Sequence, residues 1–372
     1  MKKLGFGFMR LPLKDANDQK SVNMDELEKM VDAFMAQGFS YFDTAWMYHD
    51  HCSENVLKSV LVERYPREAF TVATKMPVMY LKNEAEQESI FQEQQKKCGA
   101  GFFDYYLLHG LNAEHYETTK KFNSFAFIQK KKDEGTIGKI GFSYHDDAEL
   151  LDIILREHPE VDFVQLQINY LDWENHAIQS RQCYDVASKH HKPVIVMEPV
   201  KGSTLAAVPV EAEKLFKACR PDLSVASWAI RFAASLEGVM MVLSGMSTLP
   251  QLVDNISYMK NFVPLDAGER GVLEKAREII NATIAVPCTA CRYCVSGCPQ
   301  NIPIPSYFAL YNAHMIDTNK HWSVQKAYYG NYAQKYGKAS DCIACGQCEA
   351  HCPQHIEIVK SLKLVSQAFD GQ

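Results

Sequence analysis

Residues 39–75 read FSYFDTAWMYHDHCSENVLKSVLVERYPREAFTVATK. Two short apolar runs, FSYFDTA and FTVATK, flank a mixed stretch. Neither run alternates strictly between polar and apolar residues, which is the pattern of strands buried on both faces. Between them, residues 53–64 begin SENV and read as a helix, with Ser53 placed as its N-cap. A buried strand, a helix and a second buried strand make one βαβ unit and predict a parallel sheet.

The same rhythm extends in both directions. KLGFGFM (3–9) supplies a strand before it. DYYLLH (104–109), IGKIGFS (137–143), DFVQLQIN (162–169), PVIVMEP (193–199) and GVMMVLSG (238–245) follow. Helical spacing recurs at 24–37, which ends at Gly38, and at 84–98, 114–134, 147–157, 176–190, 222–236 and 249–259. Eight strands alternating with about eight helices fit a (β/α)8 TIM barrel. The rival is a doubly wound open sheet, which calls for G-x-G-x-x-G after the first strand. The GFG at 5–7 lacks both that pattern and a following helix. The expected barrel covers residues 1–285.

A chain of 372 residues that is 47% apolar is long enough for a large core. Its net charge of −6 gives no reason to expect a nucleic-acid partner. FVQLQI and GVMMVLSGM are too short to cross a bilayer. MKKLGFGFMRLPL is interrupted by Arg10 and Pro12 and precedes no small-residue cleavage site. A cytoplasmic protein with no membrane partner is expected.

The rhythm stops near Val286–Pro287, where the cysteines begin. Of 12 cysteines, only Cys52, Cys98, Cys183 and Cys219 precede this point. They lack metal spacing and read as packing thiols. The other eight form CTACRYCVSGCP, with Cys288, Cys291, Cys294 and Cys298, and CIACGQCEAHCP, with Cys342, Cys345, Cys348 and Cys352. Both read C-x2-C-x2-C-x3-C-P. Three thiolates at these gaps wrap three corners of an iron–sulfur cube, and the fourth reaches the other cube. One [4Fe–4S] cluster is therefore assigned to Cys288, Cys291, Cys294 and Cys352. The second is assigned to Cys342, Cys345, Cys348 and Cys298. Structural zinc is the alternative, but it favours well-separated C-x2-C pairs. The run resembles bacterial two-cluster ferredoxins. The 43 residues between Cys298 and Cys342 look helical (PSYFALYNAHM, SVQKAYYGNYAQKYG), closer to the α-helical ferredoxin modules of multi-domain reductases. A small, mostly helical ferredoxin-like domain is expected over 286–372.

The barrel carries its own constellation. Asp43 and Tyr48 lie in FDTAWMY, Lys75 ends FTVATK, and His109 ends YYLLH. All lie at or just beyond strand C-termini, where barrel active sites form. In these segments, and in GFSYH and SGMSTLPQLVDN, residues 3–283 resemble the aldo/keto reductases. The resemblance implies that Tyr48 protonates a substrate carbonyl and that Lys75 lowers its pKa. Asp43 would hold Lys75, and His109 would orient the carbonyl.

The resemblance also implies a nicotinamide nucleotide, NADP(H) or NAD(H), with Ser143 and Gln165 at its amide and Gly245, Ser247, Gln251 and Asn255 toward its phosphates. Three positions depart from the family pattern. Tyr144 replaces an Asn, Met197 replaces a stacking ring, and 245–255 holds no Lys or Arg. Hydride carries two electrons, whereas the cubes take one at a time. FMN therefore stands as a second candidate cofactor.

Weaker signals are also present. Trp46 reads equally as pocket lining or packing. His49, Asp50 and His51 read as surface polarity rather than a metal cluster. His145 and Asp146 are candidates to face substrate. KKFNSFAFIQKKKDEG reads as a solvated basic face. The expected function is carbonyl reduction coupled to two clusters, with a small carbonyl substrate and a redox-protein partner. An electron-transfer protein whose barrel serves for docking is the alternative.

Overall fold

Side chains on a strand alternate between its two faces, and the barrel uses both. In the computed structural model, the strands are β1 (Leu4–Gly7), β2 (Tyr41–Asp43), β3 (Thr71–Met76), β4 (Phe103–Leu111), β5 (Ile137–Tyr144), β6 (Phe163–Gln167), β7 (Val194–Met197) and β8 (Val239–Ser244). All pair in parallel with their sequence neighbours, and β8 returns to β1 to close the barrel. The described residues are 2–282, 285–288, 290–292, 294–316, 323–352 and 354–371.

Outward residues such as Phe6, Phe42, Tyr106, Phe142, Val164 and Val196 pack under the surrounding helices. Inward residues Tyr41, Ala73, Tyr105, Leu107, Phe163, Ile195 and Met241 fill the barrel. Gly141 lies on this inner face because a Cβ there would sit 2.5 Å from the Phe163 carbonyl oxygen. Two residues further along four of the strands, the inward series turns polar: Asp43 after Tyr41, Lys75 after Ala73, Ser143 after Gly141, Gln165 after Phe163. Alternation alone thus gathers polar groups at the C-terminal mouth.

The helices depart from expectation in four places. The 114–134 stretch is two helices, Ala113–Lys121 and Ser124–Asp133, divided at Asn123 with φ +53°. The helix at Ser53 is short (Ser53–Leu57) and widens into a π-turn over Lys58–Val62. Ser53 is not its cap. Its hydroxyl contacts Thr44 Oγ1 at 2.8 Å and donates to Phe8 O, tying β2 to the first loop. Helices Val210–Cys219 and Ala267–Asn281 are additional to those expected.

Beyond the barrel, helices Ile304–Ile316, Val324–Lys335 and Ile358–Phe369 surround a second core containing Tyr307, Phe308, Leu310, Tyr329 and Leu362. The barrel residues Ala177 and Ile178 belong to that core. The third helix was not expected. Among the described residues, no helix is long and apolar enough to cross a membrane.

Candidate active site and cysteine centres

Lys75 is completely buried inside the mouth. Its Nζ donates to Asp43 Oδ1 at 2.6 Å and to the Thr44 carbonyl at 2.7 Å. Burial alone would pull this ammonium down. The Asp43 and Tyr48 charges and hydrogen bonds outweigh it and hold it above its ordinary value. Burial likewise lifts the Asp43 carboxyl, against the pull of Lys75. With the charges 2.6 Å apart and a second acceptor on Nζ, the ionised pair is the state that fits the geometry.

Tyr48 lies across this pair, with Lys75 Nζ 4.9 Å from its ring centre. Its phenol is raised by burial and by Asp43 and Glu198. Lys75 pulls it down, but less strongly. Lys75 thus acts in the expected direction, but burial is the larger influence, and the phenol keeps its proton.

His109 meets Tyr48 nearly edge to face, with ring centres 5.9 Å apart. A break in the β4–β5 register between Leu108 and Leu111 produces this placement. Gly110 at that break has φ +66°, and its N–H donates to Ser143 Oγ at 2.7 Å. Burial, then Lys75, then His145 and His115 push the His109 imidazole well below its usual value. It is neutral at pH 7, and its buried Nδ1 has no protein partner.

Next to these groups, Gln165 donates from Nε2 to the Met197 sulfur at 3.4 Å, and its buried Oε1 is unpartnered. Ser143 accepts from Gly110. Tyr144 faces the other way, into the outer core, and donates to the Asp147 carbonyl. On the β8 side, Ser247 N–H donates to Gln251 Oε1, and Asn255 donates to Ser244 Oγ while accepting from Tyr258. Both amides thus bond within their own segment. Arg10, from the loop after β1, packs on Gly245, where a Cβ would lie 3.1 Å from its side chain. Its carbonyl accepts from Ser247 Oγ, and its guanidinium lies 3.8 Å from Glu198. Arg10 thus places a cation beside 245–255, a segment with no Lys or Arg of its own.

The cysteines converge in two hollows. Cys288, Cys291, Cys294 and Cys352 line one, walled by Ile304, Phe308 and Ile356. Cys298, Cys342, Cys345 and Cys348 line the other, with Ile302, Val359 and Leu362. Among the described residues, no three histidine, cysteine or carboxylate side chains are placed to hold a single metal ion. The loops also repeat in backbone. Ala290 and Arg292 have φ +56° and +68°, and Ala344 and Gly346 have +56° and +74°. Alternating handedness turns successive N–H groups toward one centre, a concavity suited to anionic sulfur.

Residues 3–278 match the Aldo/keto reductase family, and residues 287–357 match the 4Fe-4S dicluster domain. The chain belongs to the aldo/keto reductase family. It is an oxidoreductase with an iron–sulfur region for electron transfer. It is similar to the aldo-keto reductase AKR11C1 from Bacillus halodurans in its holo form, at 21% identity and a TM-score of 0.55, covering 74% of this chain and 91% of that one. It is also similar to an aldo-keto reductase from Klebsiella pneumoniae in complex with NADPH, at 18% identity and TM-score 0.58, covering 73% and 90%. A third, from Brucella melitensis, gives 18% identity and TM-score 0.55 over 73% and 94%. These likenesses show the fold. No curated protein matches.

Other residues of this reductase sit differently from expectation. His49 is buried. Its Nε2 accepts from Leu11 N–H, and its Nδ1 contacts the Gln19 carbonyl, so it pins the loop after β1. Lys131 in the basic stretch is also buried, paired with Glu88 and Glu134. Trp46 donates to Glu93 at 3.1 Å and is only partly buried. Cys219 is exposed rather than packed. His145 and Asp146 face helix Val324–Lys335: Tyr328 packs 6.3 Å from the His145 ring, and Lys335 lies 3.7 Å from Asp146.

Proposed function

We propose that this reductase converts a carbonyl to an alcohol at the barrel mouth, with Tyr48 as proton donor. The observation that carries this reading is the convergence of Tyr48, the buried Lys75–Asp43 pair and neutral His109. A bound nicotinamide would supply hydride. The protonated phenol delivers its hydrogen to the carbonyl oxygen as negative charge grows there. Lys75 stabilises the phenolate left behind, and Asp43 keeps Lys75 in place. His109, neutral, donates a hydrogen bond that orients the carbonyl.

Gln165 Oε1, buried and unpartnered, suits the amino group of a carboxamide, and the Ser143 hydroxyl suits its oxygen. This complementarity favours a nicotinamide nucleotide over FMN. Gly245, Ser247 and the adjoining helix Leu249–Met259, with Arg10 beside them, would take its phosphates, while Gln251 and Asn255 shape that segment. Arg10 supports NADPH, although NADH lacks only the extra phosphate.

The division of the chain proposed here is a reductase barrel over 1–285 and a two-cluster region over 286–372. Cys288, Cys291, Cys294 and Cys352 would hold one [4Fe–4S] cluster, and Cys342, Cys345, Cys348 and Cys298 the other. The clusters supply one-electron storage, which implies a redox-protein partner and suits a cytoplasmic setting.

Tyr48→Phe tests the reading. Carbonyl turnover with NADPH or NADH should fall by about 10²–10⁴-fold, with cluster absorbance unchanged. Near-parental turnover would remove Tyr48 as the donor.

A further inference from the structure

Helix Val324–Lys335 lies in sequence between the two cysteine motifs, yet it grips the barrel mouth. Asn331, buried on this helix, uses both ends of its amide there. Its Nδ2 donates to the His145 carbonyl at 2.7 Å, and its Oδ1 accepts from Asn112 Nδ2 at 2.8 Å. Asn112 caps the helix that begins at Ala113, accepting from His115 N–H at 2.8 Å, and the His115 ring contacts the Gly110 carbonyl at 2.6 Å. His145 N–H in turn donates to the Leu111 carbonyl at 2.9 Å. One side chain therefore joins the loop after β4 to the loop after β5. The irregular His109–Gly110 stretch lies at the end of β4, directly before the first of these loops. At the helix end, Lys335 meets Asp147 at 3.1 Å, and Gln334 meets Glu114 at the exposed rim.

We propose that Asn331 is a positioning residue for the carbonyl site: through it, the cysteine-bearing region fixes the turn that aims His109. This rests on the reading of His109 as the group that orients the carbonyl. At the register break His109 has no paired residue in either neighbouring strand, so contacts outside the strand help to fix its direction. Asn112, His115 and the β5 loop provide that support, and Asn331 locks them together. The barrel mouth is incomplete without the region that follows it.

The test uses the full-length protein, purified anaerobically, with Asn331→Leu, Asn331→Asp and the rim control Gln334→Ala. The probe reaction is NADPH with the prochiral diketone 1-phenylpropane-1,2-dione. For Asn331→Leu, kcat should fall about 10- to 100-fold, while the NADPH dissociation constant stays within about twofold. The enantiomeric ratio of the alcohol should erode, because a merely destabilised enzyme would still present one face of the carbonyl. Amide hydrogen exchange should rise over residues 108–116, with iron content at the parental level. Asn331→Asp keeps the acceptor for Asn112 and loses the donor to His145, so it should fall between Leu and parent. Gln334→Ala should match the parent. Parental kcat, enantiomeric ratio and exchange in Asn331→Leu would overturn the proposal, as would equal losses in Gln334→Ala. The exchange measurement needs no substrate. It therefore tests the clasp independently, even if Tyr48 proves not to be the proton donor.

Discussion

Asp43 and Lys75 form a pair whose removal one partner at a time should differ sharply from its removal as a whole. Lys75 is completely buried, and the Asp43 side chain is 4% exposed. Asp43 Oδ2 has no partner, so in Lys75→Met the carboxylate keeps a buried charge with no protein counter-charge beside it. Breaking a buried pair in this way costs about 3–5 kcal/mol. At about 2 °C per kcal/mol for a domain this large, the melting temperature should drop by about 6–10 °C. Asp43→Leu leaves the ammonium with the Thr44 carbonyl and the Tyr48 phenol but no counter-charge, and it should cost a similar amount. The double variant Asp43→Leu/Lys75→Met removes both charges, and it should return to within about 1 kcal/mol of the parent.

The sign of the pH dependence follows from Lys75. Its folded pKa is raised, so its stabilisation is fully present below the ordinary ammonium value. It is lost as pH rises through the folded one. The parent should therefore lose stability in strongly alkaline solution, and Lys75→Met should lose less. Differential scanning calorimetry under anaerobic conditions measures all four proteins. Single variants melting within about 2 °C of the parent, or a double variant showing the sum of both losses, would refute a buried ion pair at this position.

Because burial raises the Tyr48 phenol, carbonyl reduction should persist into alkaline solution. It should decline only above tyrosine's ordinary value of about 10. A steady-state profile that falls below about pH 9 would count against Tyr48 as proton donor. The hollows predict which cysteines act together. Anaerobic iron assays on Cys291→Ser, Cys352→Ser and their double variant should all give about four irons, down from about eight. Cys291→Ser/Cys298→Ser should give almost none, and the opposite pattern would undo the exchange of fourth cysteines.

Where a residue's neighbours are fixed by periodicity, the sequence was readable. Strands buried on both faces lack polar alternation, and this pattern placed all eight. A period of two then carried Asp43, Lys75, Ser143 and Gln165 to one end of the inner face. The cysteine pattern likewise grouped Cys352 with Cys288, Cys291 and Cys294, and Cys298 with Cys342, Cys345 and Cys348, the two sets that line the two hollows.

Other features depend on backbone handedness or on contacts across long separations. The FNSF stretch keeps helical composition, yet Asn123 adopts a left-handed conformation and breaks the helix. The HDH run at 49–51 looked like a polar loop. Three consecutive positive φ values turn His49 inward instead, and no composition signal marks that turn. Lys131 looks like its neighbours Lys130 and Lys132, and only helical phase buries it. Arg10 and Asn331 reach the site from more than 200 residues away, Arg10 packing on Gly245 and Asn331 bonding to Asn112. Neither stands in a repeating pattern.

The link between the two halves has a physical basis in chain closure. Cys298 and Cys342 line the same hollow, so whatever bridges them closes the 43 residues between them into a loop. On the chain-entropy scale used for cross-links, such a closure removes about 4 kcal/mol of freedom from the open chain. The helix carrying Asn331 lies inside that loop, and its Tyr329 ring packs 4.5 Å from Tyr307 of the preceding helix. Two hydrogen bonds from a single amide are each worth only about 1 kcal/mol in isolation. They hold the His109 turn firmly because the element that presents them has little freedom left to lose. A loose helix making the same two bonds would have to lose that freedom at the moment of contact, and its grip on the mouth would be correspondingly weak.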